Sequence, residues 1–170
     1  QDLYLTIRPL IAELEAVPAG QGFSPGIKQR IMNAFPELEM LSTAKLEHTF
    51  RDIEYLQKLV SGDFQWFIDR LPRAERQGLD EARYRAQLAH VRSLYEALPA
   101  AERELMWICT ALHDIGYVED VMSEHYNQAE RRMQVVMQRL GFSAEMSAFA
   151  MAMVGNHGVI GDILLGIYTP

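Results

Sequence analysis

Residues 100–117 read AAERELMWICTALHDIGY, a stretch with the pattern of a strongly amphipathic helix. Its apolar residues recur at the three- and four-residue spacing of one helix face: Leu105, Ile108, Cys109 and Leu112. We expect an amphipathic helix that packs this face into a core and ends near Gly116. The polar pair His113–Asp114 then lies at the end of a buried helix, where an unsatisfied polar group would cost free energy. The pair is therefore expected to have a specific partner or ligand.

The rest of the chain also has helical periodicity. Further helices are predicted over 2–16, 27–35, 43–60, 64–71, 73–97, 124–140 and 143–156. Loop, capping and helix-breaking residues punctuate them: the Pro- and Gly-rich stretch 18–26, Ser42 or Thr43, Gly62, Gly78, the Leu98–Pro99 pair, Gly141 and Ser143. No run alternates apolar and polar residues long enough for a strand. The sequence therefore predicts an all-α fold, and 170 residues fit a single domain, 1–170.

Composition excludes several classes of function. Apolar residues make up 49% of the chain and charged residues 23%, an ordinary globular balance. The net charge of −7 argues against general nucleic-acid binding, which needs a basic surface. This net charge is compatible with a small phosphorylated substrate, because a metal ion supplies positive charge locally. No run approaches the roughly 20 apolar residues that span a bilayer, so no membrane partner is expected.

The cysteine content and the first residues bear on location. Cys109 is the only cysteine, so it cannot form an internal disulfide. Its apolar neighbours favour a packed thiol in a reducing, cytoplasmic compartment. The start, QDLYLTIRPLIAELEA, lacks the regions of a signal peptide. Because it begins with Gln rather than Met, we expect an excised part of a longer protein, whose other domains are candidate partners.

Histidines provide the candidate chemistry. The chain has five: His48, His90, His113, His125 and His157. His48 lies in KLEHTFRDIEYL (45–56), off the apolar stripe of its predicted helix and in one sector with Asp52 and Tyr55. Asp52, four residues on, can accept the second imidazole N–H of His48 and fix its tautomer. Imidazole nitrogen together with carboxylate oxygen suits Zn, Fe, Mn and related divalent ions.

Three segments resemble, in order, the signature segments of the HD-domain superfamily of metal-dependent phosphohydrolases. They are KLEHTFRDIEYL (45–56), ICTALHDIGY (108–117) and SEHYNQAERRMQVVMQRLGFSAEMSAFAMAMVGNHG (123–158). The closest resemblance is to the HD modules appended to bacterial nucleotidyltransferases and uridylyltransferases, and it covers roughly residues 30–160. It implies a helical bundle that holds one or two divalent ions (Fe, Mn, Zn, Co or Mg). It also implies hydrolysis of a nucleotide or another small phosphate ester by a metal-activated water.

The resemblance assigns roles to individual residues. His48 is similar to the first ligand, and His113–Asp114 to the pair that names the superfamily, whose Asp bridges two ions in dinuclear members. His125 and His157 resemble the histidines that bind a second ion. Either of them, if it is not a ligand, could protonate the leaving alkoxide. The last carboxylate ligand is either Asp162 or a residue beyond the end of the chain. The catalytic candidates are Asp114, Arg51 and His125.

Two features depart from the superfamily pattern. Where its members often have a phosphate-binding Lys after HDIG, this chain has Tyr117, and Arg51 is the candidate substitute. His113 follows His48 by 65 positions, which is also a long separation, so 63–89 is predicted to be a helical insertion, either a lid or a partner surface. Spacing alone would nominate His90 as the first ligand. The sequence around His48 fits better.

Two alternative functions remain open at this stage. One is a di-iron oxygenase of HD type, because the same ligand pattern suits coupled iron. The other is a catalytically weak or inactive HD-type sensory or regulatory module, which Tyr117 and the expected excision from a longer chain both favour.

Overall fold

The computed structural model describes the backbone of residues 4–116 and 125–156, and the side chains of 5–116 and 128–156. Within these ranges the chain is all-α and contains no strand, so the predicted fold class is confirmed. The helices are α1 (Tyr4–Ala16), α2 (Ile27–Ala34), α3 (Thr43–Ser61), α4 (Phe64–Arg70), α5 (Arg73–Gln77), α6 (Glu81–Ala97), α7 (Ala100–Leu112), α8 (His125–Leu140) and α9 (Ala144–Gly155), with a 3-10 helix, Pro36–Met40, before α3.

Local capping chemistry sets several helix ends where the sequence predicted them. The Ser42 side chain accepts a hydrogen bond from the Lys45 N–H at the start of α3, and Ser143 accepts one from Met146 at the start of α9. Gly62 ends α3 with a φ of 74°, a left-handed conformation that costs glycine little. These caps fix where α3, the helix that carries His48, begins and ends.

The apolar face of α7 lies at the centre of the bundle. Helix α7 packs against α1, α3 and α9, while α8 and α9 pair closely with each other. Leu105, Ile108 and Leu112 are completely buried, as the periodicity predicted. Burial raises the pKa of the Cys109 thiol to about 12, which fits a packed thiol rather than a nucleophile. This packing brings the end of α7 against the middle of α3.

Residues 63–89, the predicted insertion, form α4, α5 and the first half of α6. Helix α6 packs on both α3 and α4, so this segment rests on the helix that carries His48. Among the described helices, none combines the length and the apolar composition needed to cross a membrane.

A buried ion pair joins α3, α4 and the loop after α1. The Lys58 ammonium donates to the Gln21 carbonyl at 2.6 Å and to Asp63 Oδ2 at 3.1 Å. The Gly20 N–H donates to the same carboxylate oxygen at 2.9 Å. Burial alone would raise the pKa of Asp63, but the hydrogen bonds from Gly20 and Lys58 outweigh it and lower that pKa.

Asp63→Asn should lower the free energy of unfolding by about 3 kcal/mol, because it leaves the buried Lys58 ammonium without a counter-charge. The folded-state pKa of Asp63 lies below its unfolded value. The stabilisation is therefore complete above about pH 5 and is lost as pH falls below about 4. Urea unfolding of wild type and variant from pH 3 to 7 measures the difference. The control is Asp69→Asn, on the exposed face of α4. If Asp69→Asn lowers the free energy of unfolding as much as Asp63→Asn does, burial of the ion pair is not the cause.

Candidate metal centre

Two histidines that are 65 residues apart in sequence meet where α3 crosses the end of α7. His48 lies in the second turn of α3, and His113 directly follows α7. Their Nε2 atoms are 3.3 Å apart, and the rings meet edge to face with centroids 5.3 Å apart. The structure thus brings together the two histidines that the sequence nominated as ligands from separate helices.

Asp52 completes a compact group with these two rings. It lies one helical turn after His48, and its Oδ2 atom is 3.3 Å from Nε2 of His48 and 3.3 Å from Nε2 of His113. One ligand atom from each of the three side chains lies within 4.8 Å of the other two. His48, Asp52 and His113 therefore form a cluster that could hold a metal ion.

Asp114 approaches the same two rings from the α7 side. Its carboxylate is almost fully buried, and Oδ2 is 3.7 Å from Nε2 of His48 and 3.6 Å from Nε2 of His113. The ammonium of Lys45, in the first turn of α3, lies 3.2 Å from the same oxygen. Asp114 therefore adds a second carboxylate to the site, and Lys45 adds a positively charged side chain.

The His113 side chain is oriented by the helix that precedes it. Its Nδ1 atom is 2.8 Å from the carbonyl oxygen of Thr110. A carbonyl only accepts, so Nδ1 carries a proton, and in the neutral ring Nε2 presents a lone pair towards His48 and Asp52. A hydrogen bond of this kind commonly orients a metal-ligating histidine.

The same region differs from the sequence prediction. The predicted helix ended near Gly116, whereas α7 ends at Leu112 and residues 113–116 form a turn. The His113 ring donates to the Thr110 carbonyl, the group that would accept the next backbone hydrogen bond if the α-helix continued. The chain tightens instead, and the Ile115 N–H donates to Leu112 at 3.1 Å. The turn directs His113 and Asp114 to one side.

The spacing of the donor atoms fits a divalent ion. Bonds of about 2.0–2.2 Å at tetrahedral angles place neighbouring ligand atoms about 3.3–3.6 Å apart. The three distances within the His48–Asp52–His113 cluster are all 3.3 Å, and those from Asp114 to the rings are 3.6 and 3.7 Å. Lone pairs directed at one point repel one another unless a proton or cation lies among them. The donor set therefore suits a divalent metal ion.

An open cavity gives access to this cluster. Its volume is about 530 Å³, within the usual range for a small-molecule site. The polar wall is formed by His48, Asp52 and His113, and an apolar wall by Met153 and Val154 near the end of α9. A small substrate can thus reach the donor atoms while its other side faces apolar groups.

The remaining sequence candidates fall into two groups. Arg51 and His90 are exposed, Arg51 on α3 and His90 on α6, and His90 is not part of the cluster. His125 begins α8, but its side chain is outside the described residues, and so are Tyr117, His157 and Asp162. Their predicted roles stay predictions.

Lys45 was missed by the sequence reasoning, and Asp52 was assigned only the role of orienting His48. Both positions carry a signal: Lys45 precedes His48 by three residues and Asp52 follows it by four, so all three share a helix face. What the pattern lacked was the position of α7, which brings Asp114 and His113 against that face.

Compared with known proteins, the chain matches no family model, and no curated protein and no solved structure matches it. The assignment of this site therefore depends on its own geometry and on the sequence motifs.

Proposed function

We propose that this chain is a metal-dependent phosphohydrolase of HD type that acts on a nucleotide or another small phosphate ester. The observation that carries the proposal is that three donors from α3 and the end of α7, His48, Asp52 and His113, meet at one wall of an open cavity. The buried Asp114 carboxylate supports it, 3.6–3.7 Å from the Nε2 atoms of the two rings. The resemblance of the segments around His48 and His113 to HD-domain proteins supports the same reaction.

The histidines and the aspartates would have different roles at such a site. A divalent ion held there would lower the pKa of a coordinated water and neutralise charge on a phosphoryl oxygen. His48 and His113 contribute neutral nitrogen donors, and the Thr110 carbonyl holds the His113 ring in place. Asp52 and Asp114 contribute negative charge that offsets the cation. This combination could hold a divalent ion without accumulating net positive charge in a partly buried site.

Lys45 is one candidate for binding a substrate phosphate. Its ammonium already lies at the site, 3.2 Å from Asp114 Oδ2, and its side chain is only partly buried. Because the chain has Tyr117 where HD-domain proteins often have a phosphate-binding Lys, Lys45 can supply the cation from another helix. Arg51 is a second candidate. It lies roughly 60° from His48 around the axis of α3 and is exposed.

The proposal is tested by loading the purified protein separately with Mn, Zn, Co, Fe or Mg and measuring hydrolysis of nucleoside monophosphates, cyclic nucleotides and simple phosphomonoesters. We expect hydrolysis that requires a metal and is lost on chelation. Metal binding without hydrolysis of any of these compounds would support the regulatory alternative instead. Coupled iron together with consumption of O2 would support the oxygenase.

Lys45→Met should raise KM for a phosphomonoester about 10–100-fold while metal content and kcat change little. The expected cause is loss of one charge-assisted hydrogen bond to phosphate, worth about 1.5–3 kcal/mol. Steady-state kinetics with metal analysis measures it. Lys28→Met, on α2, is the control. A fall in kcat at constant KM would instead assign Lys45 to the positioning of Asp114.

A further inference from the structure

An aromatic cluster outside the hydrophobic core is formed by Tyr55, Trp66 and Phe67. The Tyr55 ring meets Trp66 edge to face at a centroid distance of 4.9 Å and Phe67 at 5.7 Å, and the Trp66 and Phe67 rings are 5.2 Å apart. None of the three belongs to the packed core of the described residues. Tyr55 is 38% exposed, so its ring is available to a ligand.

A guanidinium group extends this surface. Arg70, one turn after Trp66 on α4, stacks over the Trp66 ring with its Cζ atom 3.5 Å from the ring centroid. Arg70 itself is exposed. Aromatic rings and arginine planes together form the usual platforms on which proteins stack nucleobases, since every base has a π face.

The aromatic cluster lies on the same side of α3 as the candidate metal centre. Tyr55 follows His48 by seven residues, which places it within roughly 20° of His48 around the helix axis and about 10 Å further along it. Arg51 lies between them along α3 and is exposed. In a nucleoside monophosphate, a ribose separates the phosphate from the base. With its phosphate at the metal centre, such a nucleotide is long enough for its base to reach Tyr55 along α3.

We infer that the aromatic cluster binds the base of a nucleotide substrate whose phosphate is held at the His48–Asp52–His113 cluster. This inference rests on the proposed function and narrows it from phosphate esters in general to nucleotides. Tyr55 and Trp66 supply stacking surface, and Arg51 lies where the substrate's ribose or phosphate passes. Helix α4, in the segment that the sequence predicted to be an insertion, thereby becomes a determinant of specificity.

The first test compares adenosine monophosphate with ribose 5-phosphate, which has the phosphate and sugar but no base. Tyr55→Ala should raise KM for adenosine monophosphate by about 5–100-fold, the range expected from the loss of one stacking partner, and leave KM for ribose 5-phosphate unchanged. Tyr55→Phe should restore the wild-type KM because it keeps the ring. Phe149→Ala, which removes an exposed aromatic ring from α9, is the matched control. An equal rise in KM for both substrates would overturn base recognition.

The second test does not depend on hydrolysis. The chain has two tryptophans, Trp66 at the aromatic cluster and the buried Trp107, so a base that stacks at the cluster should quench the fluorescence of Trp66 alone. Adenosine monophosphate should quench it saturably in the metal-loaded protein, and ribose 5-phosphate should not. Tyr55→Ala should weaken the quenching about 5-fold or more.

The two tests separate failure of the inference from failure of the proposed function. Hydrolysis of both compounds with equal KM and no quenching would overturn the base site while the phosphohydrolase stands. Saturable quenching by adenosine monophosphate without hydrolysis would support the base site and contradict the phosphohydrolase.

Discussion

His48→Ala should reduce the affinity for a divalent metal by more than about 100-fold, because loss of a direct ligand exceeds the 10–100-fold effect of losing an outer hydrogen-bonding partner. His48 contributes Nε2, which is 3.3 Å from both His113 Nε2 and Asp52 Oδ2. Its side chain is 44% exposed, so its removal opens little space in the core. The substitution should therefore weaken metal binding and leave the fold nearly unchanged.

Metal titration of wild type, His48→Ala and the control His90→Ala measures this effect, with urea unfolding to verify the fold. His90 is the histidine that spacing alone would select, but it is exposed on α6. His90→Ala should bind metal as tightly as wild type does. Equal losses in the two variants, or a loss in His90→Ala alone, would contradict the assignment of His48 and of the 63–89 insertion.

The helices were predictable because their determinants are local. Ser42, Gly62 and Ser143 cap or end helices through contacts within a few residues, so their sequence positions alone indicate the boundaries. The end of α7 was not predictable in this way. There the His113 ring bonds to the Thr110 carbonyl and the chain continues as a turn, and apolar periodicity reveals neither feature.

The site was predictable in part, for a different reason. The pairing of His48 with His113 came from motif resemblance, since no local pattern relates residues so far apart. Lys45 could not be placed at the site from sequence, because its partner Asp114 reaches it only through the packing of α7 on α3. The aromatic cluster likewise requires α4 to fold back beside Tyr55. His125, His157 and Asp162 stay predictions, and no side chain of the three lies within the described residues.

Asp114→Asn should lower kcat/KM for metal-dependent hydrolysis by about 10³-fold or more, since the charge it removes supports several kcal/mol of transition-state stabilisation by the cation. The substitution keeps the size and much of the hydrogen-bonding capacity of the side chain. It removes a buried negative charge 3.6–3.7 Å from the two imidazole nitrogens. The Lys45 ammonium also loses its carboxylate partner.

The stability of the variant distinguishes catalysis from folding. Lys45 is partly exposed and can be solvated, so loss of its pair with Asp114 should cost only about 0–1 kcal/mol in the free energy of unfolding. Far-UV circular dichroism and urea unfolding measure that cost, and kinetics at saturating metal measures activity. Asp69→Asn, a neutralised aspartate on the exposed face of α4, should leave both unchanged. If Asp114→Asn keeps more than about a tenth of the wild-type kcat/KM, this carboxylate contributes less than about 1.4 kcal/mol of transition-state stabilisation. The reaction would then not need it.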